Sequence, residues 1–187
     1  WDCWRDADGN EYGGITWGPG YNSKHSCSNG PIIQPLVWLH DIYAAADEEA
    51  DYTYYYRDTN NKPATKQVKR SELYLQFAEK IYDWQKRLLL NTSTGVYYDM
   101  LGAEGTLRYD NGYRAHVENG GHTGRAFTYN TGTMLAGAVE LQKASGKDAY
   151  GSDMASLALN SIPAFSRTRI VDGTVYRQCD TDESPLS

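Results

Sequence analysis

The sequence has few aliphatic side chains and no long apolar run. Leu, Ile, Val and Phe together make up about 17% of its 187 residues, which is below the usual range for globular domains. No apolar run approaches the roughly 20 residues that a membrane-spanning helix needs. The sequence therefore predicts neither a transmembrane segment nor a core built mainly from aliphatic residues.

Positive charge is also scarce. Eighteen Lys and Arg stand against 24 Asp and Glu, which gives a formal net charge of −6 at pH 7. Nucleic acids and anionic membranes repel such a chain. Both are therefore excluded as expected partners.

Cysteine is limited to Cys3, Cys27 and Cys179, which lie far apart and form no CxxC pattern. His25 and Cys27 are two residues apart in "KHSC", but no second pair of ligands is evident. The sequence therefore predicts no metal site and no cofactor. Its cysteines fit either one disulfide or free structural thiols.

Aromatic residues are abundant, with 16 Tyr and five Trp. These side chains combine a large contact area with a polar tip. Such a composition is typical of a folded protein with a cleft lined by aromatic rings, and it argues against disorder.

Hydrophobic periodicity predicts four helices that form two pairs, each with a mostly apolar helix followed by a more peripheral one. The first helix is apolar almost all round, with one stripe at Ile32, Leu36, Leu39 and Tyr43, so we expect it to be buried on most sides. Pro35 is expected to delay its start. The predicted helices are Ser28 to Ala46, Ser71 to Leu90, a helix starting at Asn130 or just after it, and Asp148 to Ser166.

The predicted start of the third helix, "AFTYNTGTML", carries more polar and aromatic groups than a helix cap needs. Tyr129 offers a flat face and a hydroxyl, Asn130 offers donors and an acceptor, and Gly132 permits close approach. This combination suits a polyhydroxylated ligand. The alternative is a capped helix with a buried tyrosine.

Helical hairpins of this kind stack side by side and can close into an (α/α) toroid, in which the inner-helix starts converge on one pocket. The Gly-rich connection over residues 91–128 is expected to be functional, because a loop of that length inside a compact domain usually is. The charged stretch 47–70 is predicted to be a surface insertion. Within it, "DYTYYYR" fits either a short strand or a sugar-stacking wall.

Several stretches together resemble glycoside hydrolase family 76, the α-1,6-mannanases, and in particular its Bacteroidetes-type members. They are "YGGITW", "HSCSNGP", "FAEKIYDWQKRLLLNTSTGVYYDML", "YNTGTMLAGAVELQKASGKDAY" and "GTVYRQCDTD". The resemblance implies an all-α (α/α)6 toroid, with residues 1–187 forming part of one such domain. It also implies a secreted, periplasmic or surface-attached enzyme that hydrolyses α-1,6-mannan with retention.

The resemblance further implies a catalytic pair of adjacent aspartates, and no Asp-Asp occurs in this sequence. We expect that pair upstream of Trp1, and we expect this chain to be an interior piece of roughly half a domain. No catalytic residue is therefore assigned within it.

The resemblance implies a substrate-binding role for Asp99, which otherwise reads as a turn or cap aspartate. Tyr129 and Asn130 would contact sugar from the third helix. Trp17 would stack on a pyranose ring or lie in the core, and Asn29 would contact sugar or only cap the first helix. The expected partner is α-mannan and the expected state is a monomer.

Two other classes of function remain open. One is a non-catalytic mannan-binding protein of the same fold. The other is a different (α/α)-ring sugar enzyme, such as an epimerase or an unsaturated-glucuronyl hydrolase. A metal-dependent cyclase is disfavoured because the sequence shows no zinc ligands.

Overall fold

The computed structural model describes residues 1–5, 8–18, 21–46, 48–102, 109–110, 113–114, 122–123 and 125–179. Within these ranges the chain forms two antiparallel helical pairs. The four helices are α1 (Ser26–Ala44), α2 (Arg70–Leu89), α3 (Thr128–Ser145) and α4 (Asp148–Ala164). All four predicted helices are present, and each begins within two residues of its predicted start.

The two helical pairs are joined through α1 and α3. Helix α1 packs against both α2 and α3, and α3 packs against α4. The buried core lies between these helices and includes Ile33, Val37, Ala78, Ile81, Tyr82, Trp84, Met134, Ala138, Leu141 and Leu157. This arrangement agrees with the prediction of two helical pairs, whereas the assignment of inner and outer helices stays a prediction. Closure of six hairpins into a toroid stays a prediction for the whole protein.

The predicted environment of α1 was wrong in two respects. The helix buries Ile33 and Val37 rather than the stripe that contains Ile32, and Trp38 and Ile42 are exposed within the described chain. An apolar pattern all round the helix does not select one face, so the neighbouring helices do. The helix also runs through Pro31 and Pro35, both of which have exposed side chains.

Helix α2 contains a buried amide, although a polar side chain on a peripheral helix is expected to point outward. Gln85 is fully buried, and neither polar atom of its side chain has a hydrogen-bond partner among the described residues. Its Nε2 faces Gly30 of α1, where a Cβ would also lie only 2.4 Å from the Thr133 Oγ1 of α3. Glycine at this position therefore permits the close approach of α1 and α3.

The connections between helices contain short strands, so the all-α prediction holds for the helical pairs but not for their connections. Three two-residue strands form one antiparallel sheet in the order β1-β6-β9, and four two-stranded pairs account for the others. The strands are β1 (Lys24–His25), β2 (Asp51–Arg57), β3 (Pro63–Lys69), β4 (Leu90–Asn91), β5 (Val96–Tyr97), β6 (Met100–Leu101), β7 (Tyr109–Asp110), β8 (Tyr113–Arg114), β9 (His122–Thr123), β10 (Ser166–Val171) and β11 (Thr174–Cys179).

The stretch "DYTYYYR" is the strand β2, which pairs with β3 in a hairpin. The tip of this hairpin is fixed to the start of the chain. The backbone N–H of Arg5 donates to Asn61 Oδ1 at 2.8 Å, Asn61 Nδ2 donates to the Arg5 carbonyl at 3.2 Å, and the Arg57 guanidinium lies 4.0 Å from the Trp4 ring centroid. The assignment of 47–70 as an insertion stays a prediction.

None of the helices in the described ranges combines the length and the apolar character needed to cross a membrane. Cys3 and Cys27 are free thiols. The side chain of Cys179 lies outside the described part. The choice between a disulfide and a free thiol is therefore settled for Cys3 and Cys27 but not for Cys179.

Candidate functional site

The start of α1 fixes the backbone of residues 98 and 99. The backbone N–H of Ser26 donates to the Asp99 carbonyl at 2.7 Å, and its hydroxyl donates to the Tyr98 carbonyl at 2.6 Å. Strand β1, which leads directly into α1, pairs His25 with Met100 of β6. The start of α3 holds the same segment, because the backbone N–H of Tyr97 donates to Thr131 Oγ1 at 3.2 Å.

Asp99 therefore lies where α1 and α3 both begin. Its carboxylate accepts a hydrogen bond of 3.2 Å from Asn130 Nδ2, in the first turn of α3. Unpaired N–H groups give the start of a helix partial positive charge, which favours a nearby carboxylate. The other carboxylate oxygen of Asp99 receives no hydrogen bond from a described residue, so a hydroxylated ligand could donate to it.

Asn130 differs from its predicted role. Its side chain is fully buried, and Oδ1 has no hydrogen-bond partner in the described part of the chain. Since Nδ2 is the atom that bonds to the carboxylate, Asn130 orients Asp99 in this geometry. Direct contact of Asn130 with a sugar stays untested.

Tyr129 is 49% exposed and stands beside the buried Asn130. Its ring stacks on Phe127 with 5.2 Å between centroids and 11° between planes. Burial, followed by the charges of Asp99 and Cys27, raises the pKa of the Tyr129 phenol. The phenol is therefore a neutral hydroxyl donor at pH 7, with part of its ring open to solvent.

Cys27 belongs to the same group, although the sequence patterns did not point to it. Burial of the thiol, and then the negative charge of Asp99, raise the pKa of Cys27. A thiol with a raised pKa is protonated at neutral pH and is a poor nucleophile. Cys27 therefore contributes a small neutral surface rather than a catalytic thiolate.

Trp17 lies on the same side of α1, beside His25. Their rings stack with 4.9 Å between centroids and 12° between planes, and Trp17 meets Tyr21 edge to face at 4.5 Å. Because Trp17 is 45% exposed, it is not a core tryptophan. Stacking of Trp17 on a sugar stays a prediction.

His25 is buried, and its Nε2 lies 2.9 Å from the hydroxyl of Ser23. It was not predicted as part of the site. The sequence signal that could have identified His25 is its position in "KHSC", directly before the start of α1. A residue at this position lies next to the first turn of the helix.

Asn29 connects the segment before α1 to the first turn of the helix. It is fully buried, its Oδ1 accepts from the Ile15 N–H at 2.8 Å, and its Nδ2 donates to the carbonyls of Ile15 and His25 at 3.0 and 2.8 Å. These bonds attach the segment before α1 to the helix. They occupy both polar atoms of the side chain, and sugar contact by Asn29 stays untested.

The connection 91–128, which was expected to be functional, is described only in part. Among its histidines, His116 lies outside the described residues, as does the side chain of His122. Across the described ranges, no three potential ligands among His, Cys, Asp and Glu come close enough together to hold a metal ion.

Comparison with known proteins gives one family match. The model of glycosyl hydrolase family 76 matches residues 64–186, which is more than half of the chain. The match begins in β3 and covers α2, α3 and α4, but it does not include α1. No curated protein matches the chain significantly.

Solved structures of this family have a similar fold. The family 76 glycoside hydrolase (mannosidase) Bt3792 from Bacteroides thetaiotaomicron VPI-5482 is 21% identical, with a TM-score of 0.56 over 89% of this chain and 36% of that chain. An inactive variant of the α-1,6-mannanase GH76A of Salegentibacter sp. HEL1_6, in complex with α-1,6-mannotriose, is 26% identical, with a TM-score of 0.51 over 80% of this chain and 33% of that one.

A third similar structure is the Lin0763 protein from Listeria innocua, at 18% identity and a TM-score of 0.52 over 80% of this chain and 36% of that chain. This chain therefore spans about a third of the length of the structures that it matches.

Proposed function

This chain belongs to glycosyl hydrolase family 76, and we propose that it supplies part of the substrate-binding surface of an enzyme that hydrolyses α-1,6-linked mannan. The observation that carries this proposal is the convergence of Asp99, Asn130 and Tyr129 at the starts of α1 and α3. The mannotriose complex of a similar α-1,6-mannanase supports the choice of sugar.

Asp99 would bind the hydroxyl groups of a mannose unit. Its free carboxylate oxygen accepts from a sugar hydroxyl, while Asn130 holds the other oxygen. Hydrogen bonds to a charged group contribute about 1.5–3 kcal/mol each. The same negative charge would also stabilise the positive charge that develops on a sugar ring during glycoside cleavage.

Tyr129 and Trp17 would supply the apolar part of the contact. A pyranose ring presents a C–H face that packs on an aromatic ring and hydroxyl edges that need hydrogen bonds. Tyr129 offers an exposed ring together with a protonated hydroxyl, and Trp17 offers an exposed indole. This combination recognises a neutral sugar without requiring a cation or a cofactor.

In this proposal, carboxylates outside this chain carry out the catalytic step. Retaining glycosidases use two carboxylates about 5–5.5 Å apart, one as nucleophile and one as acid/base. The sequence contains no adjacent aspartates, and the family resemblance implies such a pair upstream. Asp99 is then a substrate-binding residue, not one of the catalytic pair. Because the substrate is a polysaccharide too large to enter a cell, we also propose that the enzyme is extracytoplasmic. We further propose that it is a monomer.

A non-catalytic mannan-binding protein is the second candidate. The observation that favours it is the character of the described site, whose carboxylate, phenol and exposed rings are groups that bind sugar. Such a protein would use the same surface of Asp99, Tyr129 and Trp17 but would leave the polysaccharide intact.

The test combines binding and turnover. Calorimetric titration with α-1,6-mannotriose measures affinity, and release of reducing ends from linear α-1,6-mannan measures hydrolysis. We expect Asp99→Ala to lower affinity about 10–100-fold, because a charged hydrogen-bond acceptor is lost. Tyr129→Phe should have a smaller effect in the same direction. Asp41→Asn, which changes an exposed carboxylate near the other end of α1, is the matched control.

Three outcomes separate the candidates. Binding with release of reducing ends supports the hydrolase. Binding without release, in protein that includes the upstream segment, supports the non-catalytic role. Equal affinities for the unaltered protein and Asp99→Ala would overturn the assignment of this site.

A further inference from the structure

A second cleft lies beside the segment that leads to Asp99, and residues of that segment line it. Its volume is about 570 Å³, which is within the range of about 300–1,000 Å³ that small-molecule sites occupy. Its walls are the turn after α2, the segment before Asp99 and the last turn of α4. The lining residues used below are Asn91, Ser93, Thr94, Tyr98, Asn160 and Pro163.

The polar groups in this cleft are amides and hydroxyls. Among the described residues that line it, none is charged. Carboxylate and phosphate ligands are recognised mainly by cations, which these walls do not supply. The lining therefore favours a neutral ligand with many hydroxyl groups.

The fold leaves several of these groups available. In the turn after α2, Asn91 accepts from the backbone N–H groups of Ser93, Thr94 and Gly95 at 3.0, 3.2 and 2.7 Å. These bonds satisfy the turn without the hydroxyls of Ser93 and Thr94. No described residue hydrogen-bonds to those two hydroxyls or to the amide of Asn160, so all three can bind a ligand.

The cleft lining also includes apolar groups, which come from Tyr98, Ala126, Pro163 and Ala164. A lining that combines apolar side chains with amides and hydroxyls matches the apolar faces and the hydroxyl edges of a pyranose ring. A phosphate site would need cations, and a purely apolar ligand would leave the amides unpaired.

The cleft is continuous with the proposed site along the chain. Tyr98 lines the cleft, and the next residue is Asp99, whose Cα is about 3.8 Å further along. Ala126 also lines the cleft and is followed by Phe127, which stacks on Tyr129. One extended oligosaccharide could therefore reach both places.

We propose that this cleft is an accessory carbohydrate subsite, which holds a neutral sugar unit of the same oligosaccharide that binds at Asp99. The subsite rests on the proposed function, because its ligand is the mannan chain assigned there. It would make affinity depend on oligosaccharide length.

The test compares α-1,6-mannobiose with α-1,6-mannotetraose as titrants. Ser93→Trp fills the cleft from an exposed position and should weaken mannotetraose binding about tenfold while leaving mannobiose binding unchanged. Thr92→Trp is the matched control, because Thr92 is exposed in the same turn but does not line the cleft. Asn160→Leu removes an amide without adding bulk and should weaken mannotetraose binding in the same direction. Thermal unfolding of each variant checks that it is folded.

The outcomes distinguish the two proposals. Selective weakening of mannotetraose binding by Ser93→Trp and Asn160→Leu, but not by Thr92→Trp, supports the subsite. If both cleft variants bind mannotetraose like the unaltered protein while Asp99→Ala does not, the subsite is overturned and the proposed function stands. If the unaltered protein binds neither sugar, both proposals fail.

Discussion

The side-chain amide of Asn130 donates to the carboxylate of Asp99 across 31 residues of sequence, with 3.2 Å between Nδ2 and Oδ1. Asn130 is buried and Asp99 is partly exposed, so the bond runs from the core to the surface. The hydrogen bond from the buried amide fixes the orientation of the Asp99 carboxylate before a ligand binds. Such preorganisation lowers the entropic cost of binding.

Asn130→Asp should make stability depend on pH in a defined direction. Two neighbouring carboxylates disfavour joint ionisation, so the pKa of one of them rises. A carboxyl whose pKa is higher in the folded state stabilises the fold below its ordinary pKa, and this contribution is lost as the pH rises through the folded value. We expect the loss of Tm in this variant to be small near about pH 4 and larger near about pH 7.

Asn130→Leu is the control for this variant. It removes the amide without adding a charge, so its loss of Tm should be similar at both pH values. If Asn130→Asp shows the same flat profile, the assigned contact between positions 130 and 99 is wrong.

Gly95→Ala should destabilise the protein more than Gly146→Ala. Both glycines have positive φ, +71° and +67°, where a side chain costs about 1–2 kcal/mol. A Cβ at Gly95 would also lie 2.0 Å from Asn160 Nδ2, whereas nothing lies within 4 Å of one at Gly146. We expect the free energy of unfolding to fall by about 1 kcal/mol more for Gly95→Ala, as measured by urea denaturation. Equal losses would mean that Asn160 does not pack against this turn.

Glu11 should contribute to the loss of stability in acid. Burial alone would raise the pKa of Glu11, but hydrogen bonds from Lys80 and Trp1 and the charge of Arg5 outweigh it, so the pKa is lowered. A lowered carboxyl pKa gives stability that is present above its ordinary value of 4.5 and is lost as the pH falls through the folded value. Glu11→Gln should therefore cost about 1–2 kcal/mol at pH 7 and progressively less in acid.

The matched control for Glu11 is Glu48→Gln, since Glu48 is exposed. Chemical denaturation across the acid range gives both profiles. The two variants should differ near neutral pH and converge in acid. Parallel profiles would contradict the role assigned to Glu11.

Gln85→Met should stabilise the protein. Both polar atoms of Gln85 are buried and have no hydrogen-bond partner within the described ranges, and a buried unsatisfied group costs about 1–3 kcal/mol. Methionine has a similar length and flexibility and needs no hydrogen bond. We expect the free energy of unfolding to rise by about 1–2 kcal/mol. Gln76→Met, at an exposed position of the same helix, should have almost no effect, and a destabilised Gln85→Met would show that the amide has a partner in solution.

The helices could be predicted because their apolar periodicity and turn residues are local. Helix α4 begins at its predicted residue, Asp148, and ends at Ala164, two residues before its predicted end. The buried face of α1 could not be predicted, because its apolar residues surround the helix and only its neighbours choose between Ile32 and Ile33. The burial of Gln85 could not be predicted for a related reason, because the pattern treats glutamine as polar, whereas the packing of α2 against α1 encloses this side chain.

The candidate site was predictable in part. Tyr129, Asn130 and Asp99 carry signals in sequence, and the structure brings them together. Their division of roles was not predictable, because the burial of Asn130 and the exposure of Tyr129 depend on how α3 packs. Cys27 and Ser26 were missed because their contacts with residues 98 and 99 join distant parts of the chain.

The bonds between Arg5 and Asn61 have a consequence for the order of folding. They join residues 56 positions apart, so the ends of a long chain segment must meet before they can form. Helix α1 lies within that segment, and the two strands of the hairpin are close together in sequence, so both rely on shorter-range contacts, which generally form sooner. We therefore expect residues 1–5 to become ordered late during folding and to open early during unfolding, with the hairpin tip as the surface on which they close.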